Sequence, residues 1–595
     1  MAEPVPITDY KNLARLRTNR PQNRDPARSK LRKIHAIDTE TYQGNIFLIA
    51  DSDGRYLDRI TPESVIKFLF YKKYENSWNF CYNLGYDAEV ILKLLGTELY
   101  KYKTTRKLSF EFGDYRIDYF PDKALKIVKG HHSVSFYDIA QFFNRQSLQN
   151  AYYTNIGKLP DNYTQMKSKR AEFSPTFYRR NTNRVRNYCI QDCILTKNLA
   201  EYWINLFHDA FSFYPAKWPS SGYLAEKVLV NNGIYFPKFD SIPYEIQDLA
   251  FRSYFGGRFE IIKRGFIGTG HLYDINSAYP YAITKIPDLT KGKWIKRKTI
   301  HDSARLGFFE IECNIPDTKY IPPFPFRVNG NIIFPSGKFI TYCTLAELQS
   351  CENDSWYKIR KSWQFIPEND AYPYKEFIES MYQKRLKLKQ NGSPMQLPIK
   401  IILNSIYGKT GQKVNRIIGN LFNPVIFSFI TGFARAQLYQ FVQEHGIERD
   451  VVAFATDSIC TTKKLDVDSE KLGMFSFEKS ADDVFYLQNG FYRFDKKWKQ
   501  RGLGNMGSKE LEHIRTFERN GKLLYKMKVM RNTRLRSSII QNNLSEIGKI
   551  KQITREMNLN ADRKRLWLGN IKKIDSEIMN DSMPISLNYF EKNII

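Results

Sequence analysis

Apolar strands alternate with helical segments from residue 34 to residue 210, and this alternation constrains the fold more than any other feature of the sequence. The run 34–41 begins as an apolar strand, a second strand is predicted at 46–50, and 178–206 carries apolar residues at helical spacing. Strands mixed with helices in this way are typical of a layered α/β unit. The chain has 595 residues, which gives room for about four domains. We therefore predict a multidomain protein of α/β and α+β type.

The charge of the chain indicates its kind of partner. Lysine and arginine outnumber aspartate and glutamate by 91 to 62, a formal net charge of +29. Such a surplus favours nucleic acid as a partner, because phosphate neutralisation releases counterions; a basic surface without such a partner is the alternative. Residues 1–33 hold nine of the basic residues and four prolines, which predicts a basic N-terminal arm.

Other features of the composition exclude several protein classes. A hydrophobic fraction of 42% excludes a disordered chain, and no apolar run approaches the ~18 residues of a membrane span. Seven cysteines without a Cys-x-x-Cys pair indicate neither a zinc ribbon nor a disulfide framework. The first 33 residues lack the apolar region of a secretory signal. We expect a cytoplasmic protein that is neither secreted nor bound to a membrane.

Four carboxylates stand out in the first 210 residues. Asp38 and Glu40 are two residues apart at the end of a predicted strand and so point to one face,; Asp87 and Asp192 follow in separate segments. Each signal is weak alone, since such a pair is usually a solvated strand end. Together they supply enough oxygen ligands for two divalent ions and phosphodiester hydrolysis. Tyr188 lies one helical turn before Asp192 and is expected to hold the attacking water.

Two later segments each deliver an aspartate from a strand. Residues 272–280 read as a strand that ends at Asp274 and turns into a short helix, whose N–H groups could receive triphosphate oxygens,. Residues 451–460 read as a hairpin with Asp457 at its tip. A buried hairpin with one capping aspartate is the alternative for the second segment taken alone.

A helical segment between them carries polar residues at regular spacing. In 400–409 (KIILNSIYGK), Lys400, Asn404 and Tyr407 fall on one helical face, whereas Ile402 and Ile406 face elsewhere and are expected in the core,. Lys400 can meet a phosphate, and Asn404 and Tyr407 can contact nucleotide and template. Upstream, 382–389 forms a basic helix.

The four carboxylates of the first 210 residues, Asp38, Glu40, Asp87 and Asp192, are called the front carboxylates. They resemble the three motifs of the DnaQ-like 3′–5′ exonuclease domain of family B DNA polymerases. The resemblance implies an RNase H-like exonuclease domain in which Asp38, Glu40 and Asp192 bind metal. It also implies that Thr41, Asn83 and Tyr137 grip the single-stranded 3′ end. Lys158 sits where the protein-primed branch places a catalytic lysine, although a surface lysine is the simpler interpretation.

The later segments resemble family B motifs A, B and C, so a right-hand polymerase domain with palm, fingers and thumb should follow the exonuclease domain. The resemblance implies metal binding by Asp274, Ile275 and Asp457, and dNTP binding by Ile275, Tyr279, Arg385, Lys400, Asn404 and Tyr407. Arg385 is assigned to the triphosphate because a guanidinium binds phosphate in bidentate fashion. The Tyr279 ring is expected to pack under the sugar of the dNTP. DNA contacts are implied for Tyr254, Gly256, Gly257 and Tyr492. Each of the two sites would hold two Mg²⁺ ions, with Mn²⁺ as a substitute.

Motif C departs from the family pattern at two positions. Ala453 stands in place of the tyrosine and Ala455 in place of the first aspartate. The lysine of the family's Lys-x-Tyr element, before Tyr492, is also missing. These departures favour one rival hypothesis, a polymerase-inactive member that acts only as a 3′–5′ exonuclease; a non-catalytic basic binding protein is another.

Spacing indicates the branch of the family. A surplus of residues falls at 291–370, where protein-primed polymerases carry the first region that contacts the terminal (priming) protein. The second such region should follow motif B, yet Asn404 and Asp457 are only 53 positions apart, so this region is expected to be short or absent. In the family it supports processive synthesis, and the sequence therefore does not predict whether synthesis by this chain is processive. The best match is a monomeric replicase of a virus or linear mobile element, with primer-template DNA, dNTPs and a terminal protein as partners. A primer-independent relative is the alternative.

The expected organisation follows from these assignments. The segments are a basic arm at 1–33, the exonuclease domain at 34–210, a linker with the Tyr-x-Gly-Gly turn at 211–258, palm at 259–290, the terminal-protein insert at 291–370, fingers and a palm helix at 371–445, palm at 446–500 and a thumb with helical periodicity at 501–595.

Overall fold

The computed structural model describes residues 17–18, 30–105, 108–414, 417–500, 516–519, 522–558, 560–571 and 579–587. The basic arm expected at 1–33 therefore lies outside the described residues, apart from Arg17–Thr18 and positions 30–33. The strand Arg17–Thr18 pairs in parallel with Ile417–Ile418, which forms a hairpin with Lys413–Val414. Within the described ranges, no helix combines the length and apolarity that a membrane crossing requires.

An eight-stranded mixed sheet forms the centre of the first structural unit, residues 34–211, which is called the front unit. Its order is Tyr56–Leu57, Asn45–Asp51, Ile34–Tyr42, Trp78–Cys81, His132–Asp138, Ala124–Lys129, Tyr115–Phe120 and Ser109–Phe112. The third, fourth and fifth of these strands run parallel, and the other pairings are antiparallel. The accompanying helices are Pro62–Leu69, Leu84–Lys93, Lys101–Thr105, Leu148–Asn155, Asp161–Ser168, Pro175–Arg180 and Thr182–Phe211. The α/β unit predicted from the alternation is thus present.

A seven-stranded antiparallel sheet forms the centre of the second unit. Its order is Arg258–Ile261, Val451–Thr456, Ser458–Thr461, Gly265–Ile275, Phe475–Gln488, Phe491–Phe494 and Lys497–Gln500. The helices of this unit are Ala278–Thr284, Lys375–Gln390, Gln396–Thr410 and Pro424–Glu444, and Ser221–Asn231 and Tyr244–Arg252 connect it to the front unit. The sheet places strands from 258–275 beside strands from 451–461, nearly two hundred positions later in the chain.

The segment at 291–370 builds a separate five-stranded sheet. Its order is Gly292–Lys296, Tyr357–Pro367, Leu306–Ile315, Ser336–Thr344 and Ser586–Leu587, and a hairpin of Phe326–Val328 with Asn331–Ile333 and the helix Leu345–Ser350 complete it. The last strand comes from the C-terminal end of the described chain and pairs in parallel with Ser336 and Gly337.

The helical periodicity expected for 501–595 is wrong for the described part of that region. An antiparallel sheet is formed by Thr516–Arg519, Lys522–Asn532 and Ile550–Asn558, and a second pair of strands by Arg565–Trp567 and Ser582–Pro584. Among the described residues of this region, Leu535–Ile540 is the only α-helix. In Lys522–Asn532 the apolar Tyr525, Met527 and Val529 alternate with lysines. This period of two is the strand signal, and the high density of basic residues obscured it.

Candidate active sites

The front carboxylates converge at the central strand of the eight-stranded sheet. Asp38 and Glu40 both lie on Ile34–Tyr42. Asp87, in the first turn of Leu84–Lys93, is tied to that strand because its Oδ1 accepts from Thr39 Oγ1 at 2.5 Å and from the Thr39 backbone N–H at 3.2 Å. Asp192 comes from the long helix Thr182–Phe211, which packs on the same strand. The structure therefore brings together all four carboxylates that the sequence singled out.

Burial and mutual repulsion control the ionisation of these groups. Burial raises the pKa of Glu40 to about 7 against the opposing charge of Arg170, and burial raises that of Asp87 to about 7. Burial together with the Asp192 and Asp87 carboxylates raises the pKa of Asp38. Like charges held this close favour a bound cation.

Arg170 and Lys167 both face the cluster, and the sequence analysis identified neither. Arg170 Nε lies 3.7 Å from Glu40 Oε2, and its charge lowers the pKa of Glu40, Asp87 and Asp38. Lys158 is instead exposed and pairs with Asp161 at 3.2 Å, three residues along the chain. No motif marks Arg170, because it stands in a connecting segment where a basic residue is common.

Two tyrosines flank Asp192. Tyr188 is buried and its hydroxyl has no hydrogen-bond partner among the described residues, so it remains available for the water that we predicted. Tyr163 donates from its hydroxyl to Asp192 Oδ1 at 2.5 Å and stacks on the Tyr188 ring at a centroid separation of 5.3 Å. The sequence analysis missed Tyr163, which lies 29 positions from Asp192 with no spacing signal.

The three residues expected to grip a 3′ end have different environments. Thr41 Oγ1 shares a 2.5 Å hydrogen bond with the Tyr86 hydroxyl. Asn83 adopts a left-handed conformation, φ 60°, at the start of its helix, and its N–H donates to Asp138 at 3.0 Å. Tyr137 is 6% exposed and packs against Phe80 in the core. Its contact with DNA stays a prediction, whereas its observed contacts are with the core.

A cleft of about 670 Å³ opens over the front cluster. Its lining includes Asp38, Glu40, Asp87, Asp192, Thr41, Asn83, Lys167 and Arg170. Gly548 and Ile550, from the C-terminal region, complete one wall. Their segment is anchored to the front unit by Arg534, which pairs with Glu89 at 3.0 Å and with Asp122 at 2.8 Å. Distant parts of the chain thus share this cleft.

The second cluster is formed where two neighbouring strands of the seven-stranded sheet end. Asp274 lies opposite Ser458 in the sheet, and the N–H of Ile275 donates to the backbone C=O of Asp457 at 2.9 Å. Asp457 occupies the tight connection between Val451–Thr456 and Ser458–Thr461, as predicted. Thr456 has a φ of 73°, a conformation that costs a β-branched residue energy. Strain of this kind is typical of functional turns.

The charges at this second cluster are unbalanced. Burial, then the charges of Asp457 and Glu478, raises the pKa of Asp274 to about 7, while Lys400 opposes them. Burial and Glu478 also raise the pKa of Asp457. Glu478 is therefore a third carboxylate at the site, and it lies on Phe475–Gln488, the strand paired with Gly265–Ile275 on its other side. The sequence analysis assigned Glu478 no role; the strand pairing places it near both aspartates, and its charge raises the pKa of each.

The helix Gln396–Thr410 presents the face that we predicted. Lys400 and Asn404 are exposed and Tyr407 is half-buried, whereas Ile402 and Ile406 are in the core. The Tyr407 ring packs on that of Tyr279 at 4.4 Å between centroids, and its hydroxyl shares a 3.0 Å hydrogen bond with the Tyr254 hydroxyl.

Arg385 approaches the same site from the helix Lys375–Gln390. Its Nη1 lies 3.4 Å from Ser277 Oγ, at the start of the helix that follows Asp274. Its Nε is buried and has no partner among the described residues, and burial lowers its pKa. A buried guanidinium with an unused donor fits a phosphate ligand.

The turn Tyr254–Gly257 is held by two arginines. Arg327, from the 291–370 segment, donates to the Tyr254 C=O at 3.0 Å, and the buried Arg435 donates to the Gly256 C=O. Gly256 has a φ of 75°, and a Cβ at Gly257 would lie 2.7 Å from Thr456 Cγ2. The second glycine is thus required by the close approach of the aspartate hairpin.

Tyr492 lies beside that hairpin. Its ring stacks on Tyr486 at 4.8 Å, and a small cavity lined by both tyrosines, Ala453 and Ala455 separates them from the hairpin. The strand register places Lys499 directly opposite Tyr492. Cross-strand partners share one face of a sheet, so Tyr492 and Lys499 lie on the same face.

Comparisons with known proteins agree with this architecture. A family model described as DNA polymerase type B, organellar and viral, matches residues 78–418. The DNA polymerase of the Acidianus bottle-shaped virus is 24% identical over 541 residues, which cover 83% of this chain and 79% of the viral protein. A probable DNA polymerase of Ascobolus immersus is 25% identical over 236 residues, 38% of this chain and 19% of that protein.

Solved structures show the same fold. Phi29 DNA polymerase complexed with primer-template DNA and incoming nucleotide substrates has a TM-score of 0.60 at 15% identity, covering 89% of this chain and 100% of that chain. An orthorhombic crystal form of the phi29 enzyme gives 0.62 at 14% identity with the same coverage. The predicted mixed α/β multidomain fold is confirmed. Since the family model matches more than half of the chain, this protein belongs to the type B DNA polymerases of organelles and viruses.

Proposed function

We propose that this polymerase adds dNTPs to a 3′-OH on a DNA template at the Asp274–Asp457 cluster and removes mispaired ends at the Asp38–Asp192 cluster. The observation that carries the proposal is the strand pairing that places Asp274 opposite Ser458 and next to Asp457, with Glu478 on the adjoining strand. The charge of the exposed Lys400 opposes the rise in the pKa of Asp274, so the site combines carboxylates for cations with a lysine for a phosphorylated substrate.

The donor sets of both clusters fit divalent ions. Carboxylate oxygens are what Mg²⁺ and Mn²⁺ prefer, and the buried Glu40 Oε1 has no hydrogen-bond partner among the described residues. Asp274, Asp457 and the Ile275 carbonyl would hold ions at one site, and Asp38, Glu40 and Asp192 at the other. Two Mg²⁺ ions bound at each site would stabilise the charge on the attacking and leaving oxygens.

In synthesis, the residues of the chain position the substrate. Arg385 and Lys400 neutralise the triphosphate, and the Tyr279 ring, braced by Tyr407, packs beneath the sugar. Because the protein forms no covalent bond with the substrate, positioning and electrostatic stabilisation account for most of the rate of nucleotide addition. Asn404 and Tyr254 contact the nascent pair, and Gly256, Gly257, Tyr492 and Lys499 hold the primer strand.

In proofreading, Thr41, Asn83 and Tyr137 hold the unpaired 3′ end, and Tyr188 orients the water. Tyr163 fixes Asp192 through its hydroxyl. Arg170 opposes the negative charge of the carboxylates and contacts the phosphate of the bound DNA end in the cleft.

The segment 291–370 is the candidate surface for a terminal protein. It forms its own sheet and contacts the turn at Tyr254 through Arg327, so a priming protein bound there would lie next to the nucleotide site. We propose protein-primed replication of a viral or linear mobile-element genome, carried out by a monomer in the cytoplasm, with the domain boundaries given above.

A reciprocal pair of variants tests the assignment. On a primed template with Mg²⁺, Asp457→Ala should lose dNTP incorporation by more than about 10³-fold and keep 3′–5′ digestion of labelled single-stranded DNA, while Asp38→Ala should do the reverse. Synthesis retained by Asp457→Ala would reject the polymerase site.

A second candidate function, a 3′–5′ exonuclease without polymerase activity, is favoured by Ala455 in place of the first motif C aspartate. Digestion by the unmodified protein without incorporation in either Mg²⁺ or Mn²⁺ would establish it.

A further inference from the structure

A thiol lies inside the front carboxylate cluster, and the proposed hydrolysis does not use it. Cys189 follows Tyr188 on the helix Thr182–Phe211, and its Sγ is 3.7 Å from the Asp38 carbonyl oxygen and 4.0 Å from Asp38 Oδ2. One ligand atom each from Asp38, Glu40 and Cys189 lie within 4.8 Å of one another. This is the only group of this kind among the described residues.

The Glu40 carboxylate points to a ligand at the same place. Glu40 is 1% exposed and its Oε1 has no hydrogen-bond partner among the residues that the structure describes. A buried oxygen without a partner is costly, and a cation among these three residues would satisfy it.

A sulfur ligand changes which ion such a site prefers. Magnesium takes oxygen ligands, whereas thiolate selects softer ions such as Zn²⁺. Zinc binds thiolate at ~2.3 Å and carboxylate oxygen at ~2.0–2.2 Å. At the tetrahedral angle these bonds place the sulfur and the oxygen about 3.6 Å apart, so the 4.0 Å between Cys189 Sγ and Asp38 Oδ2 has to shorten by only about 0.4 Å to admit the ion,.

We propose that Asp38, Glu40 and Cys189 bind a single thiophilic divalent cation, such as Zn²⁺, which displaces the Mg²⁺ pair and inhibits the exonuclease while synthesis continues. Binding releases the thiol proton to solvent, since only the thiolate ligates. The consequence for activity rests on the proposed exonuclease function, whereas the binding site itself does not.

Cadmium provides a direct readout of binding, because a thiolate–Cd²⁺ bond gives an ultraviolet charge-transfer band. The metal-free full chain is titrated with Cd²⁺, together with Cys189→Ser and the matched control Cys193→Ser. Cys193 lies one helical turn further on the same helix; its Sγ donates to the Ala50 carbonyl at 3.2 Å and also contacts the Cys189 thiol, so it is the most demanding control for a site that uses Cys189. We expect one equivalent of the band in the unmodified protein and in Cys193→Ser, and its loss in Cys189→Ser. A band that persists in Cys189→Ser overturns the proposal, and circular dichroism checks that each variant is folded.

Inhibition by zinc tests the consequence. With Mg²⁺ present, the Zn²⁺ concentration that halves 3′–5′ digestion should rise at least about tenfold in Cys189→Ser and stay unchanged in Cys193→Ser. Incorporation of dNTPs should respond to Zn²⁺ equally in all three proteins. Equal sensitivity of digestion in all three would refute the selective inhibition. If no protein digests DNA, the proposed exonuclease function fails, and the cadmium titration still decides whether the site exists.

Discussion

The two carboxylate clusters of this polymerase differ in how their charge is balanced. At the front cluster, Arg170 already lies 3.7 Å from Glu40 and lowers the pKa of three of the carboxyl groups. At the second cluster, the opposing charge comes from the exposed Lys400 on the helix Gln396–Thr410. The first site is partly compensated by an arginine beside the carboxylates, although their pKa values stay raised, and the second depends on a side chain with access to solvent.

The clusters also differ in what completes them. The front cleft receives Gly548 and Ile550 from the C-terminal region, and the second site receives support from the 291–370 segment through Arg327. Each site therefore relies on a different distant segment. This separation should allow one activity to be changed without the other.

The largest effect is expected from Lys400→Ala. Removing this charge takes away the cation that opposes Asp274 and leaves the incoming triphosphate with Arg385 alone, so kcat/KM for dNTP incorporation should fall by about 10²–10³-fold. Digestion of single-stranded DNA should be unchanged. Steady-state kinetics of both activities measure the two effects, with Lys338→Ala, an exposed lysine of the 291–370 sheet, as the control. A parallel loss of digestion would break the distinction between the sites.

Glu478→Gln should have a smaller effect on the same activity. Without this carboxylate the aspartates bind metal more weakly, so incorporation should fall about 10–100-fold and need more Mg²⁺ for half-maximal rate. Asp482→Asn, on the same strand and bonded to Thr269, is the control. An unchanged Mg²⁺ requirement would show that Glu478 is not part of the metal site.

Arg327→Gln tests the support from the 291–370 segment. Loss of its bond to the Tyr254 carbonyl should raise the KM for dNTP about fivefold, the equivalent of ~1 kcal/mol for one hydrogen bond, with kcat little changed. Arg360→Gln, a half-exposed arginine in the same segment that faces Glu310, is the matched control. If kcat falls and KM does not, Arg327 does not act through the nucleotide pocket.

The smallest effect concerns stability and pH. Burial raises the pKa values of Glu40, Asp87 and Asp274 to about 7, so between pH ~4 and ~7 the folded, metal-free protein binds more protons than the unfolded chain. Its stability should therefore fall as pH rises through this range. Added Mg²⁺ should raise the melting temperature by a few degrees near pH 8 and much less near pH 5.

Calorimetry across this pH range also separates the two clusters. Asp274→Asn should flatten the pH dependence at least as much as Glu40→Gln, because both pKa values rise to about 7 and that of an aspartate starts lower, at 3.8 against 4.5,. A larger effect of Glu40→Gln would indicate that the front cluster dominates the ionisation of the protein.

Local patterns were sufficient for the helix face at Lys400 and Asn404 and for the hairpin tip at Asp457. In both, short-range spacing determines which side chains share a face. The same reasoning failed for 522–558, where lysines between apolar residues concealed a two-residue period. It also missed Tyr163 and Arg170 and gave Glu478 no role, because the contacts of these residues join elements far apart in the chain.

Local geometry predicted candidate site residues, because carboxylates, lysines and tyrosines at fixed spacing share a face of a strand or a helix. Which of these charges lie near one another follows from the packing of the folded chain. Glu478 reaches Asp274 and Asp457 through the strand pairing of a seven-stranded sheet, and Cys189 reaches Asp38 because a long helix packs on the central strand. Such contacts are products of long-range packing, in which no local pattern specifies the partner.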